Sequence, residues 1–195
     1  GFILSSVSKR EKSDVIHQVK TIYDYISQHK EFANLVPEVR MNISGAIPDA
    51  QDKKDIAAIE GRITVINGYP YAAGDIKFGV SDHTARLVLT AKQFDETINF
   101  VINLRYKPHY IEKIQESTTL STFEFIRDTQ PDTVKKKEHS TMQWLIKDCV
   151  KSTGQIPDII WDRGGIGKEP IIRVFARDDR EMIDKLKRIQ KAIFG

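Results

Sequence analysis

The sequence predicts an α/β layered domain built on a mixed sheet. Segments of helical period and short β-branched segments mix along the whole chain rather than falling into separate blocks. Asn67-Gly68, between Ile63–Ile66 and Tyr69–Ala72, is a strong hairpin signal, so at least one strand pair is antiparallel. No stretch rich in Pro, Gly or Ser divides the 195 residues, which fit one domain with a core of ordinary size.

The elements follow in order. Over residues 9–30, Val15, Ile16, Val19, Ile22, Tyr23 and Ile26 recur at helical spacing, and Leu35-Val36-Pro37 closes that element. Residues 42–46 read as a strand or loop and 48–51 as a polar turn. Ile56–Ile59 leads into a strand at 61–66, and the hairpin returns at 69–72. Ser81 is placed to cap a helix that carries Ala85, Leu87, Val88, Leu89 and Ala91 and ends near Lys92. Residues 98–105 read as a buried strand, and Pro108 opens a helix to about Glu116. A strand at 122–126, a polar connection at 127–138 and a helix at 142–150 come next. Strands at 156–161 and 171–175 precede a closing helix at 179–194, with Met182, Ile183, Leu186, Ile189 and Ile193 on one face.

Hydrophobic residues make up 40% and charged residues 29%, an ordinary balance for a soluble protein. No apolar run is long enough to span a membrane, so a cytoplasmic protein is expected. A net charge of +3 is too small to argue for nucleic acid, but it suits a phosphate-rich small molecule. One cysteine, Cys149, excludes an internal disulfide and a cysteine-based zinc site; a buried, inert thiol is expected. No paired histidine spacing and no G-x-S-x-G occur, which leaves zinc hydrolysis and Ser/His/Asp catalysis without support. His17 and His29 read as solvent-facing, His109 and His139 as lying in or near loops, and Lys135-Lys136-Lys137 as a solvated loop or helix face.

The densest chemical signal is Asp162-Arg163-Gly164-Gly165-Ile166-Gly167-Lys168-Glu169, between two apolar segments. Glycines let backbone amides approach phosphate oxygens, so Gly164, Gly165, Gly167 and Lys168 are candidate phosphate ligands. A glycine turn joining two strands would read the same. The spacing is not that of a Walker A loop, and a strand rather than a helix follows. Asp162 and Glu169 could hold Mg²⁺ against a diphosphate, or could pair with Arg163 and Lys168. His83 falls in the first turn of a predicted helix, where the dipole favours an anion and disfavours the imidazolium, and Arg86 follows one turn on. Arg62 and Arg105 sit at strand ends from which a planar guanidinium can reach a diphosphate, or simply lie exposed. Asn103 shares a strand face with Arg105.

Several separated segments together resemble one family. They are Leu35-Val36-Pro37-Glu38-Val39 with Asn42-Ile43, Asp55 through Ile63, Phe78 through Arg86, Asn103-Leu104-Arg105-Tyr106, and Pro157-Asp158 through Gly165–Pro170. In this order they resemble the ThiN family, the archaeal-type thiamine-phosphate synthases, from about Lys9 to the end. The resemblance implies the coupling of hydroxymethylpyrimidine diphosphate with hydroxyethylthiazole phosphate to give thiamine monophosphate and diphosphate. It implies a three-layer α/β/α sandwich with a mixed, mostly antiparallel sheet, like that of class II aldolases. Residues 1–195 would be a single ThiN-type domain.

The family's essential arginine and histidine map onto Arg62 and His83. Asn42, Arg86, Asn103, Arg105 and the glycine loop would bind substrate, with Mg²⁺ carried on the diphosphate. Leu145 stands where many relatives have glycine, and Ile126-Arg127-Asp128 replaces a more usual Asp-Arg pair. The absence of Met at position 1 fits a domain excised from a longer chain, in which a pyrimidine kinase would precede it. A homodimer is compatible with such a fold. The alternative is a domain that senses thiamine phosphates without catalysis, fused to a helix-turn-helix in a transcription regulator. Retention of Arg62 and His83 argues for the enzyme.

Overall fold

The computed structural model describes residues 2–129 and 140–195. Its elements are α1 (Phe2–Ser27), β1 (Ile43–Ala46), β2 (Ile56–Ile59), β3 (Ile63–Ile66), β4 (Tyr69–Ala72), β5 (Ile76–Phe78), α2 (His83–Phe94), β6 (Phe100–Arg105), α3 (Pro108–Ser117), β7 (Thr122–Glu124), α4 (Ser140–Thr153), β8 (Ile159–Trp161), β9 (Ile171–Ala176) and α5 (Asp179–Phe194). Seven strands form one sheet in the order β5-β2-β1-β6-β9-β8-β7, and β3 and β4 form a separate hairpin. Every neighbour pair in the large sheet is antiparallel except β7 with β8. The mixed, mostly antiparallel sheet is therefore as the resemblance implies.

Both faces of the sheet are covered, which explains why its central strands read as continuous apolar runs rather than alternating ones. Ile102, Leu104, Ile159, Ile172 and Val174 point to the side of α1, α3 and α5. Val101, Ile160 and Phe175, one residue out of step, point to α2 and α4. Gly45 is required where α1 crosses β1. A Cβ there would lie 2.5 Å from the Phe100 ring and 3.0 Å from both Val15 and Val19.

Several boundaries differ from those read in the sequence. The first helix begins at Phe2, well before residue 9, and stops at Ser27. β8 starts only at Ile159, after Pro157, which has no amide hydrogen for the ladder. β7 ends at Glu124, and Arg127–Thr129 forms a single 3-10 turn; the lysine run and His139 lie outside the described residues. His17 is exposed, but His29 is half-buried, with Nδ1 2.6 Å from the Tyr25 carbonyl. Ser81 does not cap through the backbone. Its hydroxyl lies 2.6 Å from Thr84 Oγ1, and Ser44 Oγ lies 2.6 Å from the same atom. This buried knot of three hydroxyls pins the first turn of α2 onto β1, and α2 starts at His83.

Among the described residues no helix is long and apolar enough to cross a membrane. Cys149 is buried on α4, facing α2, and burial pushes its thiol up to about 11. It should therefore resist Ellman's reagent at pH 8 in the folded protein and react quickly in denaturant, because only the thiolate attacks. Equal rates in the two conditions would contradict that burial.

Candidate active site

A cavity of about 340 Å³ opens at the sheet end where β1 and β9 begin and β6 finishes. Its walls carry five permanent cations, Arg40, Arg62, Arg127, Lys168 and Arg173, together with His83, against two carboxylates, Asp82 and Glu169. An excess of positive charge in a concave site concentrates anions. Its apolar surface comes from residues such as Val80, Leu87, Met142 and Ile171, enough to shelter a flat ring.

One wall is the segment 36–42, and its anchors account for several residues singled out in the sequence. Arg105 Nε donates to the Val36 carbonyl at 3.0 Å. Asn103 donates to the Arg40 carbonyl at 3.0 Å and accepts the Asn42 amide at 2.7 Å. Asn42 is buried, donating to the Ile59 carbonyl and accepting its amide, each at 3.0 Å. Glu169 accepts the Glu38 and Val39 amides at 2.8 and 2.9 Å. Arg62 Nη1 donates to the Val39 carbonyl at 2.7 Å. These side chains fix the wall, and the wall presents Arg40 and Arg62. Both arginines have left-handed backbones, with φ of +73° and +69°. That conformation costs about 1–3 kcal/mol for a side-chain-bearing residue and clusters at functional sites.

The opposite end of the cavity is built on Asp162, which is fully buried. Its carboxylate accepts from Arg173 Nη1 at 2.7 Å, from Arg127 Nε at 3.1 Å and from the Gly164 amide at 2.7 Å. The glycine loop is a tight turn between the antiparallel neighbours β8 and β9. The Gly165 and Lys168 amides each donate to the other residue's carbonyl at 3.0 Å. Of the loop's phosphate candidates, the structure brings Gly167 and Lys168 to the cavity; Gly164 and Gly165 lie behind them.

The structure thus brings Arg62, His83, Asn42, Asn103, Gly167, Lys168 and Glu169 together around one space, and leaves Arg86, Arg105, Gly164, Gly165 and Asp162 off its lining. Arg86 turns back to Asp82, 3.1 Å away on the same helix. Arg40, Arg127 and Arg173 are cavity cations that the sequence reading did not single out. A Mg²⁺ held by Asp162 and Glu169 does not fit. The first carboxylate is matched by two guanidiniums and an amide, and the second by two amides. Among the described residues, no group of three or more metal-ligating side chains converges.

Fold and cavity together define an α/β/α domain with a cationic cavity at one end of its sheet. The same fold appears in an aldolase II superfamily protein from Pseudomonas syringae, at TM-score 0.50 and 10% identity over 92% of this chain and 73% of that one. Closer likenesses identify the family. The profile of thiamine-phosphate synthase ThiN matches residues 18–188, and the chain belongs to that family. It is 37% identical to the bifunctional thiamine biosynthesis protein ThiDN of Methanocaldococcus jannaschii, covering 97% of this chain and 47% of that protein. It thus spans about half of that relative. It is 30% identical to the thiamine-phosphate synthase ThiN of Methanothermobacter thermautotrophicus, over 92% of this chain and 96% of the relative. A crystal structure of the C-terminal domain of a phosphomethylpyrimidine kinase superposes with TM-score 0.86 at 33% identity, over 91% of this chain and 99% of that one.

Proposed function

We propose that this domain is a thiamine-phosphate synthase, a transferase that joins hydroxymethylpyrimidine diphosphate to hydroxyethylthiazole phosphate. The observation that carries the reading is the meeting of Arg62 and His83, from a strand turn and a helix start, in one cationic cavity of a ThiN-family fold. The thiazole nitrogen forms a bond to the pyrimidine methylene carbon from its own lone pair. The bond from that carbon to the diphosphate oxygen breaks, and its electron pair leaves with diphosphate. No base is needed, because the attacking nitrogen carries no proton.

The protein's task is then to position the partners and to hold charge where it grows, on the leaving diphosphate. Arg40, from the wall formed by residues 36–42, and Arg62, anchored to that wall through the Val39 carbonyl, supply that charge. His83 hydrogen-bonds the departing oxygen and, as imidazolium, gives it a proton. A Mg²⁺ accompanying the diphosphate would keep phosphate and water oxygens as ligands, since the nearby carboxylates are already matched. In a longer polypeptide the domain would follow a pyrimidine kinase that makes its diphosphate substrate.

The test is release of diphosphate on mixing the chain with both substrates, with none released from either alone. Binding of thiamine phosphates with no release would favour the sensor instead. Lys168, at the exposed tip of the glycine turn, should act mainly in binding. Lys168→Ala is expected to raise KM for at least one substrate by about tenfold, the scale of one lost charge-assisted contact, with kcat nearly unchanged. Unchanged KM for both would place the loop outside the binding site.

A further inference from the structure

The four arginines of the cavity fall into two groups, with Lys168 on the loop between β8 and β9. Ile63 bridges Met41 on the side of β1 that β2 occupies, so Arg62 and Arg40 stand at that end. Arg173 lies on β9, directly across from Asn103 of β6. From β2 to β9 is three strand steps, roughly 14 Å across the sheet at normal strand spacing. Arg127 reaches the same Asp162 from the turn after β7.

We propose that Arg173 and Arg127, oriented by Asp162, form a second anion subsite that takes the phosphate monoester of the thiazole substrate, while Arg62, Arg40 and His83 take the diphosphate. This rests on the synthase reading. Three observations point to it.

Arg173 interrupts a strand otherwise made of Ile171, Ile172, Val174, Phe175 and Ala176, and it is only 4% exposed. An apolar residue would serve stability there at least as well. Burial pushes its guanidinium below the usual arginine range, Asp162 opposes that fall and Arg127 adds to it.

Among the described residues the charges do not balance. Two guanidiniums share one carboxylate, and Arg173 makes a single hydrogen bond, through Nη1, among the described residues. Arg173 itself lines the cavity. Asp162 in turn cannot swing away, because the Gly164 amide holds the oxygen that faces Arg127.

The first turn of α4, through Thr141 and Met142, joins the same cavity and brings the positive end of its dipole to it. Substrates with phosphates at their far ends and reacting atoms in the middle need two anion sites set well apart. These two groups are the pair that the sheet separates.

The experiment compares Arg173→Lys and Arg127→Gln with the unaltered chain, varying each substrate in turn. KM for hydroxyethylthiazole phosphate is expected to rise tenfold or more, and KM for the pyrimidine diphosphate to stay within twofold. With the thiazole alcohol, which lacks the phosphate, the variants should match the unaltered chain, which a general loss of structure would not allow. Equal rises in both KM values, or none, would overturn the subsite. If Arg173→Lys does not fold, Arg127→Gln at the partly exposed position decides alone.

Calorimetry with inorganic phosphate separates this proposal from the one beneath it. Phosphate bound by the unaltered chain and lost in Arg127→Gln would support the subsite even if no thiamine phosphate were made. Synthase activity with phosphate binding unaffected by Arg127→Gln would overturn the subsite and leave the function standing. Absence of both activity and phosphate binding would overturn both.

Discussion

Arg62→Ala is expected to lower turnover by about 100-fold or more, the scale seen when a group that meets transition-state charge is removed. Arg62 sits at a left-handed backbone position next to Gly61, whose φ is +76°, and a hydrogen bond from its amide to the Ile59 carbonyl at 3.1 Å closes the turn. That turn aims the side chain across the segment 36–42. Nη1 is engaged by the Val39 carbonyl, and no other hydrogen bond is made by the guanidinium among the described residues. One edge anchors the arginine and the rest of the fork is available to a diphosphate. Arg62→Lys should recover little, since an ammonium cannot keep the anchor and offer a planar fork at once. The anchor could also matter for stability alone, so the thermal midpoint must be measured beside the rate. A large fall in kcat with an unmoved midpoint is the expected result. Near-normal turnover in Arg62→Ala would remove Arg62 from the mechanism.

The second large effect is on stability. Asp162→Asn leaves two guanidiniums, one of them buried, without their counter-charge. Removing one partner of a buried ion pair costs about 3–5 kcal/mol, because the remaining charge keeps its desolvation penalty. For a chain of this size that corresponds to a fall of roughly 10 °C in the unfolding midpoint. The loss should be partly reversed in Asp162→Asn combined with Arg173→Met, which removes the stranded charge as well. A midpoint within a degree or two of the unaltered chain would mean that water or another group already compensates the arginines.

Much of the fold was legible because its signals are local. The hairpin at Asn67-Gly68, the amphipathic closing helix and the apolar β6 all stand where pattern and turn chemistry place them. The two-faced burial of the sheet was less so, since a strand covered on both sides loses its alternation. Arg62 and His83 were marked by Gly61 before the one and a helix start around the other, together with the family resemblance, and both reach the cavity.

The glycine loop was the most conspicuous feature, yet of its four candidate phosphate ligands the Gly164, Gly165 and Lys168 amides bond within the turn or to Asp162. Composition alone does not tell a phosphate cradle from a tight strand connection. Arg173 carried a signal of its own, a charge inside an apolar strand, which points to a buried partner or a ligand. Arg40 carried none, and Arg127 stood out only as a departure from the family's usual Asp-Arg pair. Their roles arise from long-range contacts, with Gly61 for the first and Asp162 for the second, that no local pattern encodes.

The most direct measurement is thiamine monophosphate formation from the two purified substrates with Mg²⁺, comparing the intact chain with His83→Ala. The account predicts product from the intact chain and a large loss in the variant, with its fold retained because His83 is exposed on the first turn of α2. No product from the intact chain, with thiamine monophosphate still bound tightly, would contradict it and make this cavity the pocket of a sensor.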